Sequence, residues 1–356
     1  MSAEETTHHI VALEAIHCPI PDFDLPGPHT KSIHNWTTPA ELGERVKDAT
    51  IVITTTIRLS AEILTVEKTP RLRLVVVLAS GTDCVDKEAA KARGIPVCNC
   101  PGTNIDSVSE HALGLYFATR RNLVKLTNAV TTVPAEGETE WKKQGSLHPQ
   151  LRTADGKAPL LCSEERVGII GYGALGRRIQ MLATALGMKV IIAERRGVKP
   201  RADRVSFEDA LRQSTVLILC LPRTPETVNM ISTEELRMMP CQAVLINVAR
   251  GGIVDEEALV TALKQGEIFG AGMDVYANEP VGRGGSPLLE ADGLNLVLTP
   301  HLAWLAERTM GNLQAGVKAT VERWCIGDMI NRVAMQKTMV PGSIDEKPTP
   351  NVGATT

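Results

Sequence analysis

The run Arg166-Val167-Gly168-Ile169-Ile170-Gly171-Tyr172-Gly173-Ala174-Leu175-Gly176 constrains this chain more than any other. An apolar stretch that empties into three glycines spaced G-x-G-x-x-G, and then into a helix-forming segment, reads as a strand, a tight turn and a helix. Gly171 permits the turn, Gly173 lets a pyrophosphate approach the backbone, and Gly176 lets the helix pack on its strand. The start of that helix, at Ala174 and Leu175, offers unpaired N–H groups to an anion. Leu175, Ile179, Leu182 and Leu186 then recur at helical spacing, Gly187 supplies a stop, and residues 189–193 read as a second buried strand. That strand runs into Glu194, placed where a carboxylate accepts hydrogen bonds from the adenosine ribose hydroxyls of a dinucleotide.

The composition suits such a sheet. Hydrophobic residues make up 43% of the chain but aromatics only 3%, the aliphatic bias of parallel strands covered on both faces by helices. At 356 residues the chain exceeds one ordinary core and is expected to form two domains. A net charge of −3 gives no electrostatic reason to expect nucleic acid or an anionic membrane surface as partner. The longest apolar runs, at 74–79 and 216–221, fall far short of the roughly twenty residues that span a bilayer. The acidic start Met1-Ser2-Ala3-Glu4-Glu5 does not read as a secretory leader, so a cytoplasmic location is expected. Eight cysteines form no CxxC pair and no zinc-like grouping; Cys98 and Cys100 are read as reduced core residues, and no metal is expected.

Taken in order, residues 10–15, 51–55, 73–78 and 95–98 read as strands, with a helix over 86–93 stopped by Gly94. The proline-rich stretch 19–28 reads as a surface loop. Two turns, one at Ser80-Gly81-Thr82-Asp83 and one at Cys100-Pro101-Gly102-Thr103-Asn104, follow strand ends, where open α/β sheets bind ligands. A long helical pattern covers 107–126. Residues 131–165 break into Pro, Gly and charged residues, yet contain Trp141 and Leu147, which suits packing on something, such as a second subunit. Beyond the glycine motif, helices at 207–213, 233–239 and 256–264 alternate with strands at 215–221, 243–248, 268–274 and 295–299, a doubly wound parallel sheet. Residues 302–326 read as one or two further helices, and 341–356 as a disordered tail.

Arg250 follows Asn247-Val248-Ala249, Asp274 closes Gly272-Met273, Glu279 lies five residues on, and His301 follows Thr299-Pro300. In a parallel sheet all these strand ends point the same way as the glycine turn and Glu194. A guanidinium, a carboxylate and an imidazole gathered beside a nicotinamide suit hydride transfer to the C2 carbon of a 2-oxo acid. Arg250 can grip carboxylate and keto oxygens, His301 can protonate the developing alkoxide, and Glu279 can hold the other ring nitrogen. Glu110 and His111, adjacent on a helix, point about 100° apart and are read as structural.

Through the glycine motif, Ile246-Asn247-Val248-Ala249-Arg250-Gly251-Gly252-Ile253-Val254-Asp255, Gly272-Met273-Asp274-Val275-Tyr276-Ala277-Asn278-Glu279-Pro280 and Thr299-Pro300-His301-Leu302-Ala303-Trp304, the chain resembles the D-isomer-specific 2-hydroxyacid dehydrogenase family. The resemblance implies an α/β fold of two Rossmann-like domains, a doubly wound cofactor domain inserted into a flavodoxin-like substrate domain. The substrate domain would cover 1–115, completed by 303–340, and the dinucleotide-binding domain 116–302. It implies Arg250, Glu279 and His301 as the catalytic trio, and a homodimer built around the cofactor domain. The cofactor would contact Gly171, Gly173, Ala174, Leu175, Gly176, Glu194, Leu221, Pro222, Val248, Ala249, Arg250 and Asp274. The substrate would contact Ser80, Gly81, Asn104, Arg250 and His301.

Among members the chain looks most like glycerate dehydrogenases and hydroxypyruvate or glyoxylate reductases, so a small 2-oxo or 2-hydroxy acid is the expected substrate. Phosphoglycerate-type or other 2-hydroxyacid dehydrogenases are the alternatives, as is a non-catalytic, NAD-sensing protein of the co-repressor kind. Glu194 would repel a 2′-phosphate and favours NAD, whereas Arg195 and Arg196 can grip that phosphate, leaving NADP as the second cofactor.

Overall fold

The computed structural model describes residues 7–333. Their contacts divide the chain into two units, one running to Pro101 and resuming at Leu313, the other Gly102–Asn312. The expected tail at 341–356 lies outside the described residues.

The first unit is a parallel sheet built from β1 (His8–Ala12), β2 (His29–Ile33), β3 (Ile51–Thr54), β4 (Leu74–Val77) and β5 (Val97–Cys98), with helices α1 (Pro39–Val46) and α2 (Lys87–Ala92). Strand order is β2-β1-β3-β4-β5. The chain therefore reverses direction between β1 and β3, the switch point at which open sheets of this kind take ligands. Glu14, two residues past β1 and 1% exposed, fills that place. Its carboxylate accepts the N–H groups of Thr55, Thr56 and Ile57 at 2.6, 2.5 and 2.9 Å and the hydroxyls of Thr54 and Thr56 at 3.1 and 2.6 Å. His17 Nε2 also lies 3.7 Å from its Oε2, so the buried carboxylate is fully surrounded by partners.

The second unit opens with α3 (Ile105–Arg120) and α4 (Leu123–Thr131). One long helix was expected over 107–126, but Asn122 takes the left-handed conformation, φ 49°, which asparagine tolerates better than most residues. The Asn122 amide then donates to the Gln150 carbonyl at 2.9 Å. Within 131–165 there are one short α-helix, α5 (Glu140–Gln144), and two 3-10 turns, His148–Leu151 and Cys162–Glu164; Trp141 on α5 is 53% exposed.

The six-stranded parallel sheet comprises β6 (Arg166–Ile170), β7 (Lys189–Ile192), β8 (Val216–Leu219), β9 (Val244–Asn247), β10 (Gly270–Met273) and β11 (Leu296–Leu298). Helices α6 (Ala174–Ala185), α7 (Phe207–Gln213), α8 (Thr233–Met238) and α9 (Glu256–Gln265) connect the strands. The order β11-β10-β9-β8-β6-β7 places the switch point between β6 and β8, at the glycine turn. The α/β class and doubly wound cofactor sheet are thus as expected. Strands β8 and β9 are buried along their whole length, and β6 from Val167 to Ile170.

The contacts divide the chain at 101/102 and 312/313, and α3 lies with the second sheet. A side chain on Gly272 would place its Cβ 2.9 Å from Leu115 Cβ, so only glycine in β10 lets α3 lie this close. Asn295 also donates to the Thr119 carbonyl at 3.0 Å. At the opposite end of the helix from the glycine turn, Arg120 forks onto Glu165 at 2.6 and 3.0 Å and donates to the Gln242 and Thr215 carbonyls. Both side chains of this ion pair are buried. The final helix, α10 (Glu307–Cys325), begins in the second unit and continues in the first, where Trp324 meets the His8 ring edge-on.

Candidate active site

The glycine turn fits a dinucleotide. Gly171 has φ +95°, and a Cβ there would lie 2.5 Å from the Cys220 carbonyl oxygen. A Cβ on Gly176 would lie 2.4 Å from the Gly171 oxygen, whereas nothing lies within 4 Å of the Cβ position of Gly173. The turn is thus closed against the sheet and open at Gly173, which caps α6, whose first N–H groups have no carbonyl one turn earlier. Ala174 and Leu175 form its first turn, and Leu221 and Pro222 follow β8 on the neighbouring strand.

Glu194 lies just past β7 but its oxygens are engaged. Arg201 Nε reaches Oε2 at 2.6 Å and Nη2 reaches Oε1 at 3.0 Å, the Arg195 N–H donates to Oε1 at 3.0 Å, and Arg204 lies at 3.6 Å. The Arg201 hydrogen bonds, then that of Arg195, hold the Glu194 carboxyl at about 2. Arg196 is paired with Glu235 and lies over the Phe207 ring. Nothing in the sequence marked Arg201, which approaches across a loop.

Arg250 is carried by a turn that Asn247 staples. Asn247, fully buried at the end of β9, accepts the Ala249 N–H at 3.0 Å and donates to the Arg250 carbonyl at 3.0 Å. The Arg250 guanidinium donates to the Ala249 carbonyl at 2.7 Å. Val248 and Ala249 are buried beneath it. The next residue, Gly251, lies against the loop that bears Glu279: a Cβ on it would overlap the Tyr276 carbonyl oxygen.

His301 Nδ1 lies 2.6 Å from Glu279 Oε2, and Glu279 Oε1 accepts the Tyr276 N–H at 2.8 Å. Burial pushes the Glu279 carboxyl up, but the His301 hydrogen bond and charge, the Tyr276 N–H and the charge of Arg250 together hold it below its ordinary value. An ionised Glu279 accepts, so the proton of this bond sits on Nδ1 and Nε2 is the atom that can exchange one with a substrate. The Glu279 loop is in turn tied to α9, since Glu256 accepts the Ala277 N–H at 2.7 Å and the Ser286 hydroxyl at 2.6 Å.

His301 itself has φ +54°, a conformation costing a non-glycine residue about 1–2 kcal/mol. Asp274, 1% exposed, sustains it. The Asp274 carbonyl accepts the His301 N–H at 2.8 Å, and its carboxylate accepts the N–H groups of Leu302 and Ala303 at 3.1 and 3.0 Å. The polar atoms of Asp274, an expected cofactor contact, hold the histidine loop.

Arg250, Glu279 and His301 thus lie at the carboxyl ends of the second sheet with Asn104, at the cap of α3, in the same unit. Ser80 and Gly81 lie in the first unit past β4, where the Ser80 hydroxyl donates to the Cys100 carbonyl at 3.1 Å and Asn99 donates to the Ser80 carbonyl at 2.7 Å. Cys98 and Cys100 are buried free thiols, and burial pushes them up to about 11 and about 12.

Residues 115–303 match the family described as D-isomer specific 2-hydroxyacid dehydrogenase, NAD binding domain. The chain belongs to this family. The dehydrogenase is 40% identical over 324 residues to a glycerate dehydrogenase of Methylorubrum extorquens, covering 90% of this chain and 96% of that protein. It is 32% identical to a hydroxypyruvate reductase of Blautia hydrogenotrophica, covering 82% and 87%. Among solved structures, an NADPH-dependent glyoxylate/hydroxypyruvate reductase of Sinorhizobium meliloti, in complex with NADP and malonate, superposes with a TM-score of 0.72 at 26% identity, covering 92% and 97%. The dehydrogenase is accordingly an NAD(P)-dependent oxidoreductase acting on CH–OH donors. No helix among the described residues is long and apolar enough to cross a membrane.

Proposed function

We propose that this dehydrogenase reduces a small 2-oxo acid of the hydroxypyruvate or glyoxylate type to the D-2-hydroxy acid, and runs the reverse. The observation that carries the reading is the 2.6 Å bond between His301 and an ionised Glu279, beside the turn that bears Arg250. The bound nicotinamide supplies or takes the hydride at C2. Arg250 holds the carboxylate and keto oxygens through its planar fork, with Asn104 of the same unit beside it. His301 Nε2 gives its proton to the oxygen that becomes the hydroxyl, while Glu279 keeps the ring oriented through Nδ1. The names of the Methylorubrum and Blautia relatives support the substrate class.

The test is oxidation of NADH and NADPH against hydroxypyruvate, glyoxylate, pyruvate and a branched 2-oxo acid, with His301→Ala alongside. Turnover of hydroxypyruvate or glyoxylate that falls about 10²- to 10⁴-fold in the variant is expected. Absence of oxidation with every acid would overturn the enzyme reading in favour of a nucleotide sensor.

For the cofactor, we infer that both NADH and NADPH are accepted and that Arg201 sets the balance. The carboxylate expected to repel a 2′-phosphate is neutralised by Arg201, with Arg204 and the Arg195 N–H against it. A phosphate arriving there meets guanidinium groups as well as Glu194.

For assembly, we propose a homodimer that covers the apolar side chains on and beyond α3. Phe117, Leu123, Val124, Val130, Val133 and Trp141 are all exposed there, an unusual concentration on a monomer surface. Sedimentation equilibrium reads the outcome; a monomer at micromolar concentration would exclude it.

A further inference from the structure

Beyond the catalytic trio, α3 presents a second histidine to the loop that carries His301. Ser107 and His111 are four residues apart and share one face of the helix. Ser107 Oγ donates to the Trp304 carbonyl at 3.0 Å and lies 3.1 Å from Thr309 Oγ1. His111 Nε2 lies 3.0 Å from Thr299 Oγ1 and 3.5 Å from Asp274 Oδ1. The two contacts bracket His301 in sequence, one on each side. The Thr299 hydroxyl donates its only proton to Asp274 Oδ1 at 2.6 Å, so towards His111 its oxygen accepts. The proton between them therefore sits on His111 Nε2. Thr299 is also tied to the Glu279 loop, because the Tyr276 hydroxyl donates to the Thr299 carbonyl at 3.2 Å.

We propose that His111 is a positioning residue for the proton donor: through Thr299 it fixes Asp274, which holds His301 in its left-handed backbone conformation. His111 touches neither Glu279 nor His301 in the contacts described and acts only through this chain. The inference rests on His301 being the proton donor of the proposed reaction. Misplacing a catalytic group by about 1 Å from a distance can cost about 10²-fold in rate, which gives the scale to look for.

The test compares His111→Leu with His111→Gln, which keeps an N–H near the Nε2 position, using hydroxypyruvate and NADH, or NADH deuterated at the transferred position. For His111→Leu, a fall in kcat of about 10- to 100-fold is expected, with cofactor KM within twofold and a deuterium isotope effect on kcat/KM larger than in the unaltered protein. His111→Gln should recover at least a third of the original kcat. A leucine variant within twofold in kcat and unchanged in isotope effect overturns the proposal, as does a glutamine variant that falls as far as the leucine one. Should His111→Leu fail to fold, Thr299→Val and Thr299→Ser decide: valine must show the same loss and the same isotope effect, and serine must not. His301→Ala run in parallel separates the failures. If that variant keeps full activity, the proposed mechanism is wrong; if it is crippled while the His111 and Thr299 variants are not, only the positioning role is wrong.

Discussion

Glu279 divides its two carboxylate oxygens between a backbone and a side chain: one accepts the Tyr276 N–H at 2.8 Å, the other meets His301 Nδ1 at 2.6 Å. Its orientation is thus set by the loop on which it sits, and the histidine is aligned to a fixed partner.

Replacing Glu279 by Gln should therefore act on pH dependence. The Glu279 carboxyl is held below its ordinary value, so the ion pair is available at neutral pH and is lost only as pH falls through that depressed value. Glutamine does not titrate, so the loss of rate on acidification through that depressed value should be absent from the variant. A kcat/KM profile for hydroxypyruvate reduction from about pH 3 to 7 checks this; the same acid limb in both proteins would exclude the pairing.

Arg250→Lys should cripple turnover although charge is kept, because an ammonium cannot reproduce a fork that spans carboxylate and keto oxygens. A loss of about 10²-fold or more in kcat/KM is expected, on the scale of one lost transition-state donor. NADH affinity, read by fluorescence titration, should change little.

Arg201→Ala should leave the Glu194 carboxylate with only the Arg195 N–H and the more distant Arg204 against it. Relative kcat/KM should then shift towards NADH by about tenfold or more, the size of one charge-assisted contact, and Glu194→Gln should shift it the other way. Equal ratios in all three proteins would remove Arg201 from cofactor choice.

Arg120→Met should cost about 3–5 kcal/mol, since it leaves Glu165 ionic and buried without its partner. The denaturation midpoint in urea should fall accordingly. Because Arg120 lies at the end of the sheet away from the glycine turn, kcat of the folded protein should stay within a few-fold.

What the sequence disclosed, and what it hid, follows the range of the interactions. The motif at 166–176, the alternation after it and the strand-end residues Arg250, Glu279 and His301 were legible because each is written in a few neighbouring residues. Helix α1 carried a readable signal too, a capping box from Thr38 to Glu41 with Pro39 at its first turn, but sequence reading did not register it. Strand β2, His-Thr-Lys-Ser-Ile at the sheet edge, has almost no apolar pattern to read. The link from His111 to Thr299 joins residues 188 apart in sequence, and only the register of α3 on the sheet brings them together. Glu110, next to His111 on the helix, is exposed, while His111 faces Thr299.

The Glu14 carboxylate explains how two sheets wound alike come to do different work. Both have a switch point, the place where a doubly wound sheet can seat a phosphate. In the first sheet Glu14 occupies three backbone N–H groups and two hydroxyls there, acting as a ligand built into the chain. An incoming anion would have to displace that carboxylate, whereas the glycine turn of the second sheet is open at Gly173.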